Sequence, residues 1–150
     1  MEEIEELLQY GRQGYNCGQI MMIRALEMQG KENPDVVRAM TGFAGGIGWS
    51  GDLCGVLTGA VAVLGLYAGK GSLQDQDDVR LMFMIEDLIK WFKERYGETY
   101  GGIHCNEILG LNSGKIDMDR CPVMIAETLQ YIKELLVKNG YDLTGGILDE

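Results

Sequence analysis

The chain has 150 residues, of which 46% are hydrophobic, and it carries a formal net charge of −10. This length and apolar content suffice for a buried core, so we expect a single domain over residues 1–150 that needs no disulfide bonds for its stability. The negative charge has no offsetting cluster of Lys or Arg, which disfavours nucleic acids and anionic membrane surfaces as partners.

The N-terminal segment is acidic, whereas a secretory signal peptide is basic and then apolar. Residues 2–6 contain four glutamates, so we expect no export signal and a cytoplasmic location. In a reducing compartment the four cysteines of the chain indicate metal binding or redox cycling rather than permanent disulfides.

Three helices are predicted before the glycine-rich part of the chain. Apolar residues at helical spacing indicate the first over residues 2–10, and the glycines that follow provide a stop. Asn16 has the side chain of a helix cap, so the second helix runs over residues 17–30 and Cys17 falls in its first turn. The proline at position 34 is typical of a first helical residue and predicts a third helix.

Residues 42–51 contain five glycines and predict a loop with an unusual backbone. Because glycine tolerates positive φ and close approach, this density indicates either tight packing or a binding cradle. The loop also satisfies the pattern G-x-G-x-x-G before a helix, but a dinucleotide site needs a preceding strand, and here a helix is predicted. Gly46, Gly48, Gly51 and Gly55 remain candidate cofactor-binding positions through their backbone amides.

Residues 53–69 carry no charge and predict a central buried helix, with Asp52 as its cap. The run is shorter than the ~20 residues that span a bilayer, so we expect no membrane insertion. Its small residues recur at a spacing that allows close helix packing, and such a face can also form a homodimer interface.

The second half of the chain predicts a helix over residues 77–96 with a broad apolar face, a short helical turn over 104–109, and a long amphipathic helix from Cys121 to Asn139. No segment shows the alternating pattern of a strand. The predicted fold class is therefore all-α, a compact bundle of about five to seven helices with a Gly-rich loop.

All four cysteines open segments that are predicted to be helical. A helix N-terminus lowers the pKa of a thiol and favours the nucleophilic, metal-binding thiolate, so we expect reactive cysteines here. No C-x-x-C occurs, and the fold must therefore assemble any shared site. These cysteines are Cys17, Cys54, Cys105 and Cys121.

The cysteine pattern resembles the redox-active protein family that is named for its C_GCAxxG_C_C motif. The resemblance covers most of the chain and rests on Cys17, on the segment G-D-L-C-G-V-L-T-G-A at residues 51–60, on His104-Cys105 and on Cys121-Pro122. Val56 stands where the family has alanine, and all four thiols are retained. The resemblance implies a redox-active or metal-associated role.

Thiol chemistry is the leading functional hypothesis, either thiol/disulfide exchange with a redox partner protein or electron transfer, which would make the chain an oxidoreductase. In exchange, one thiolate attacks a disulfide and a second thiolate resolves the mixed disulfide. The glycines around Cys54 favour it as the attacking thiol, and Cys17, Cys105 or Cys121 would resolve.

Two further hypotheses belong to other classes. Four thiolates, or three with His104, would hold zinc or an iron–sulfur cluster, because sulfur ligands select these metals. Alternatively, the thiols are inert and the chain is a non-catalytic helical interaction domain. The sequence contains neither a Ser-His-Asp arrangement nor an H-E-x-x-H motif, which disfavours hydrolase chemistry.

Overall fold

The computed structural model of the chain describes residues 2–76, 78–110 and 119–146. In these residues the fold is all-α, as predicted. They are α1 (Glu2–Arg12), α2 (Cys17–Met28), α3 (Pro34–Ala39), α4 (Gly55–Ala68), α5 (Arg80–Phe92), α6 (Cys105–Leu109) and α7 (Arg120–Lys138). A 3-10 turn (Thr41–Phe43) follows α3, and a π-helical turn (Lys93–Gly97) with one further turn (Glu98–Tyr100) extends α5.

Side-chain caps set the starts of α2 and α3. The Asn16 side chain accepts a hydrogen bond from the Gln19 amide at 2.9 Å, and the Asn16 amide donates to the Gln19 side chain at 3.1 Å. This reciprocal capping box places Cys17 at the first position of α2, which confirms the prediction. Pro34 is likewise the first residue of α3, where its missing N–H costs nothing.

Two predicted helix starts are wrong by a few residues. The central helix begins at Gly55 with Cys54 as its cap residue, not Asp52, because an antiparallel bridge between Leu53 and His104 keeps the chain extended just before it. The helix predicted over residues 77–96 begins at Arg80, and position 77 itself lies outside the described residues.

Helix α4 lies at the centre of the fold, packed between α2, α5 and α7. Its small residues serve contacts within the chain: a Cβ atom at Gly59 would lie 2.9 Å from the Gly18 Cα and 3.0 Å from the Met21 Cβ. The surrounding core is formed by side chains that are at most 1% exposed: Val56, Ala60, Leu64, Met84, Leu88, Phe92, Ile125, Leu129 and Ile132. The close approach of α2 and α4 places the starts of these two helices side by side.

Helix α4 has 14 residues, fewer than the uncharged run in the sequence suggested. Across residues 2–76, 78–110 and 119–146, no helix has both the length and the apolar character that crossing a bilayer requires.

A polar clamp ties the segment after α7 to the start of α5. The Tyr141 side chain is 1% exposed, and its hydroxyl donates to the Asp78 carboxylate. The Arg80 guanidinium pairs with Asp78 at 2.6 Å, lies 4.9 Å above the Tyr141 ring and donates to the Asn139 carbonyl at 2.6 Å. The clamp joins residues 139–141 to residues 78–80, and none of the four cysteines takes part in it.

Candidate functional site

The four cysteines come together around one small cavity of about 30 Å³. Each of them lies at a helix start: Cys17 is the first residue of α2, Cys54 caps α4, Cys105 is the first residue of α6 and Cys121 is the second residue of α7. The starts of four helices from distant parts of the chain therefore converge on the thiols. The cavity has room for about one or two water molecules, and none of the four cysteines forms a disulfide.

The glycine-rich loop forms one wall of this cavity through a left-handed turn. The five consecutive residues 45–49 all have positive φ, including the non-glycine residues Ile47 at 69° and Trp49 at 60°. Left-handed backbone costs about 1–2 kcal/mol for such residues. The cost is offset in part by hydrogen bonds across the loop, such as Gly48 to the Gly42 carbonyl at 2.8 Å and Trp49 to the Ala44 carbonyl at 2.9 Å.

The candidate glycines lie against the helices that carry the cysteines. A Cβ atom at Gly46 would lie 2.6 Å from the Cys105 Cβ, and one at Gly55 would lie 3.5 Å from the Cys17 Cβ. A Cβ at Gly51 would lie 2.9 Å from a side-chain atom of α6, whereas one at Gly48 meets no atom within 4 Å. Gly46 and Gly51 thus allow the close approach that builds the site, whereas a Cβ at Gly55 would make ordinary van der Waals contacts. Cofactor binding by their amides stays a prediction.

A short antiparallel pairing directs Cys54 and Cys105 toward the cavity. Leu53 and His104 form an isolated bridge, and the Cys105 amide donates to the Asp52 carbonyl at 2.6 Å. Successive side chains of an extended segment point to opposite sides. The residues on either side of the bridge, Cys54 and Cys105, therefore share one face and line the cavity, while Leu53 and His104 lie on the other face.

His104 acts as the cap of α6 and does not line the cavity. Its Nδ1 atom lies 2.6 Å from Glu107 Oε1, and the His104 amide donates to the same carboxylate at 3.3 Å. Its Nε2 atom lies 3.9 Å from Asp52 Oδ1. The imidazole thus contacts carboxylates at the surface, so its assignment as a metal ligand remains a prediction that the geometry does not support.

Cys17 and Cys121 line two small cavities together, the one among the four cysteines and a second one beside α1. A hydrogen-bonding interaction with the Cys121 side chain raises the pKa of Cys17 well above its ordinary value, and burial together with the negative charge of the neighbouring thiolates raises it further. The first turns of α2 and α7 therefore bring these two thiols close enough to influence each other. The sequence did not single out this pair.

The prediction of low thiol pKa values is wrong. Burial raises the pKa of Cys54 to about 12, although the backbone amides of Val56 and Leu57 at the start of α4 act in the opposite direction. Burial and the charge of Cys121 also raise the pKa of Cys105. The partial charges of the helix ends are real, but loss of solvent and repulsion among four thiolates outweigh them.

The predicted accessibility of Cys54 is also wrong, because the glycine-rich loop folds over this residue. Cys54 is 6% exposed and Cys121 is 8% exposed, whereas Cys17 and Cys105 are partly exposed. Small residues next to a thiol leave room for neighbouring backbone as well as for solvent, and here backbone fills that room. The site therefore has two inner thiols and two outer ones.

The donors do not fit a preformed metal centre. In the part of the chain that the structure describes, no group of three or more His, Cys, Asp or Glu side chains is arranged to hold a metal ion. The predicted ligand set of four cysteines and His104 would require the sulfur atoms to move.

A larger groove of about 510 Å³ lies between α1, α2 and α3 and contains no cysteine. Its lining mixes apolar, aromatic and charged side chains, among them Tyr10, Tyr15, Ile23, Lys31 and Arg38. We assign the functional site to the smaller cavity, because reactive groups converge there.

Comparison with known proteins agrees with the cysteine geometry. The sequence profile of the family described as "Putative redox-active protein (C_GCAxxG_C_C)" matches residues 15–135, a span that includes all four cysteines. No curated protein and no solved structure matches the chain.

Proposed function

Since the chain belongs to the C_GCAxxG_C_C family, we propose that it works by reversible oxidation of Cys17 and Cys121 to a disulfide. The observation that carries the proposal is that these two residues, which lie in the first turns of α2 and α7, line the same two small cavities. A disulfide bond is about 2.0 Å long, so it requires two cysteines that the fold already brings together. We further propose that a redox partner protein in the cytoplasm supplies the disulfide.

The reaction is a thiol/disulfide exchange. A protein thiolate attacks one sulfur of the substrate disulfide, which forms a mixed disulfide and releases the other half of the substrate as a thiolate. A second protein thiolate then attacks the mixed disulfide and releases the remaining half. Two protein thiols are oxidised to one disulfide, the substrate disulfide is reduced to two thiols, and the two protons pass through solvent to the released sulfur atoms.

The small volume of the cavity supports chemistry by the thiols themselves. Sites for organic ligands usually enclose about 300–1,000 Å³. The cavity among the cysteines has about 30 Å³ and is lined, besides the cysteines, by Asn16, by glycines and by apolar residues. A nucleotide or flavin does not fit there, whereas a new sulfur–sulfur bond needs no additional volume.

The raised pKa values of Cys17, Cys54 and Cys105 protect these thiols from nonspecific oxidation. At neutral pH a thiol with a raised pKa is almost fully protonated, and the protonated form is a poor nucleophile. Exchange therefore accelerates with rising pH, by about tenfold per unit while the attacking thiol remains mostly protonated.

Metal binding is the second candidate, and one observation favours it. Four helix N-termini direct partial positive charge toward the thiols, and this charge would stabilise an anionic set of sulfur ligands around zinc or an iron–sulfur cluster. Metal binding is disfavoured because, among the described residues, no three or more His, Cys, Asp or Glu side chains are arranged to hold a metal ion. A non-catalytic interaction domain is the third candidate. For such a domain, the small residues of α4 were predicted to form a homodimer interface. Gly59 instead packs against α2 of the same chain, so this part of α4 does not support the homodimer.

Anaerobic purification followed by metal analysis, an absorption spectrum and thiol counting separates the three candidates. We expect no bound metal, and we expect two thiols to disappear with oxidised dithiothreitol and to return with reduced dithiothreitol. Peptide mapping should place the bridge between Cys17 and Cys121, and Cys17→Ser should abolish it. Stoichiometric iron or zinc would support the metal centre instead, and an unchanged thiol count without metal would support the interaction domain.

A further inference from the structure

Cys105 is the thiol of the site that is best placed to meet a substrate. It lines the cavity with the other three cysteines, yet it is partly exposed, whereas Cys54 and Cys121 are buried. It begins α6, a helix of only five residues. Glycines bound this helix, with Gly101 at a φ of 84° before it and Gly110 at 54° after it. Cys105 therefore lies on a short segment between two glycines with left-handed backbone, at the outer edge of the cavity.

The surface around Cys105 is negatively charged. Asp52 and Glu107 flank this cysteine, and their side chains are 59% and 37% exposed. Arg120 at the start of α7 adds one positive charge nearby, which the two carboxylates outnumber; its guanidinium donates to the Ile108 carbonyl and lies 5.2 Å from the centre of the Tyr100 ring. With a formal net charge of −10 on the whole chain, an anionic molecule is repelled from this edge and a cationic one is attracted.

We propose that Cys105 is the attacking thiol and that its substrate is a disulfide carried on a cationic molecule or on a basic protein surface. This inference rests on the proposed function, because it names the first step and the substrate class of the same site. It replaces Cys54, which lies beneath the glycine-rich loop, as the residue that meets the substrate.

The reaction then passes from Cys105 to Cys121 and from Cys121 to Cys17. The Cys105 thiolate attacks one substrate sulfur and releases the first half of the substrate as a thiolate, which takes a proton from solvent. The Cys121 thiolate displaces the second half from Cys105, which leaves a Cys105–Cys121 bridge. Cys17, which lines the same cavities as Cys121, attacks the Cys121 sulfur, restores the Cys105 thiol and forms the final bridge. One substrate disulfide is reduced to two thiols, and two protein thiols are oxidised.

Three small disulfides test the substrate class: cystamine as the cation, hydroxyethyl disulfide as the neutral reference and glutathione disulfide as the anion. At low ionic strength we expect oxidation by cystamine to exceed that by glutathione disulfide by about tenfold or more. Added salt should slow oxidation of the protein by cystamine and accelerate its oxidation by glutathione disulfide, because salt screens the interaction between charges. The rate with the neutral disulfide should not change. Rates of all three that do not respond to salt would overturn the substrate class.

The attacking residue is tested with cystamine on the full chain. Cys105→Ser should slow formation of the Cys17–Cys121 bridge by about tenfold or more while leaving its final yield intact. Asn106→Ala is the matched control, since it changes the neighbouring exposed side chain of α6 and keeps the thiol. In Cys121→Ser we expect a stable cysteamine adduct on Cys105. Rapid acid quenching of the wild-type chain should reveal the same adduct first and needs no variant.

The outcomes separate this inference from the proposed function. An unchanged rate in Cys105→Ser, or a first adduct on Cys17 or Cys54, would overturn the role of Cys105 and leave the bridge in place. A Cys105 adduct in the wild-type chain without any later Cys17–Cys121 bridge would support Cys105 as the attacking thiol and overturn the proposed function.

Discussion

Cys17 and Cys121 line the same two small cavities although they lie about 100 positions apart in the sequence. The two residues meet because α2 and α7 both pack on α4. The Cys121 side chain therefore influences the acidity of Cys17, and this effect can be measured without knowledge of the substrate.

Removing the partner thiol should lower the pKa of Cys17. In Cys121→Ala the hydrogen bond and the charge of Cys121 disappear together, and these are the first and third largest causes of the raised pKa. Burial remains, so the pKa should fall toward its ordinary value without reaching it. The pH dependence of iodoacetamide alkylation at Cys17, followed by peptide mapping, measures the change. Cys105→Ala is the comparison and should shift the pKa less; equal shifts would contradict a specific Cys17–Cys121 contact.

The contact between the glycine-rich loop and Cys105 should make Gly46 less replaceable than Gly48. Both residues have positive φ, so alanine at either position costs about 1–2 kcal/mol of backbone strain. A Cβ at Gly46 also meets the Asp52 carbonyl oxygen at 2.5 Å and the Cys105 Cβ at 2.6 Å, whereas one at Gly48 meets nothing within 4 Å. We therefore expect Gly46→Ala to lower the free energy of unfolding by a further 1–3 kcal/mol or so, about the cost of overpacking. Urea denaturation of both variants gives the difference, and equal losses would mean that the loop does not press on α6.

The close approach of α2 and α4 should appear in a second pair of glycine variants. Gly59→Ala places a Cβ 2.9 Å from the Gly18 Cα, and we expect it to destabilise the fold by about 1–3 kcal/mol. Gly65→Ala lies in the same helix with nothing within 4 Å, and it should be neutral or stabilising by up to about 1 kcal/mol. Thermal denaturation of the reduced chain compares the two. Destabilisation by Gly65→Ala would indicate that this face of α4 is covered in solution.

The clamp at Asp78 should make stability sensitive to acid. Hydrogen bonds from the Arg80 and Tyr141 side chains hold the pKa of Asp78 well below its usual range. A carboxyl group of this kind stabilises the fold above its unfolded pKa, near 3.9, and loses that contribution as the pH falls further. We expect Asp78→Asn to lower the free energy of unfolding by about 1–3 kcal/mol at pH 7. Below about pH 4 the free energies of unfolding of the variant and the wild-type chain should become more similar. Urea denaturation at pH 7 and pH 3 measures both values.

The exposed Glu86→Gln on α5 is the control for the loss of one negative charge. A surface substitution of this kind should change stability by at most about 0.5 kcal/mol at either pH. A difference between Asp78→Asn and the wild-type chain that is as large at pH 3 as at pH 7 would show that packing, and not the carboxylate, holds the clamp.

Local rules in the sequence were sufficient to predict where the cysteines lie on their helices. Asn16 caps α2 and Pro34 opens α3, because these residue types satisfy or avoid the unpaired amides of a first turn. The fold class followed from helical periodicity. These features depend on interactions within a few residues of each other, and the sequence displays such interactions directly.

The properties of the thiols depend on long-range packing, which the sequence does not display. Cys54 is buried because the loop returns over it, and its pKa is raised because solvent is lost there. Residue type also gives no hint that Ile47 and Trp49 adopt left-handed backbone, which only the surrounding hydrogen bonds stabilise. The position of His104 on the outer face follows from a two-residue bridge that has no recognisable pattern in sequence.

A bond between Cys17 and Cys121 would enclose most of the polypeptide in one covalent ring, because α3 to α6 all lie between these residues. In the chain-entropy view, closing a ring of about 100 residues removes enough freedom from the unfolded chain to add about 4–5 kcal/mol of stability. Oxidation would then raise the melting temperature and slow digestion by proteases. Oxidation of the same two sulfur atoms would therefore change both the redox state of the protein and its resistance to unfolding and proteolysis.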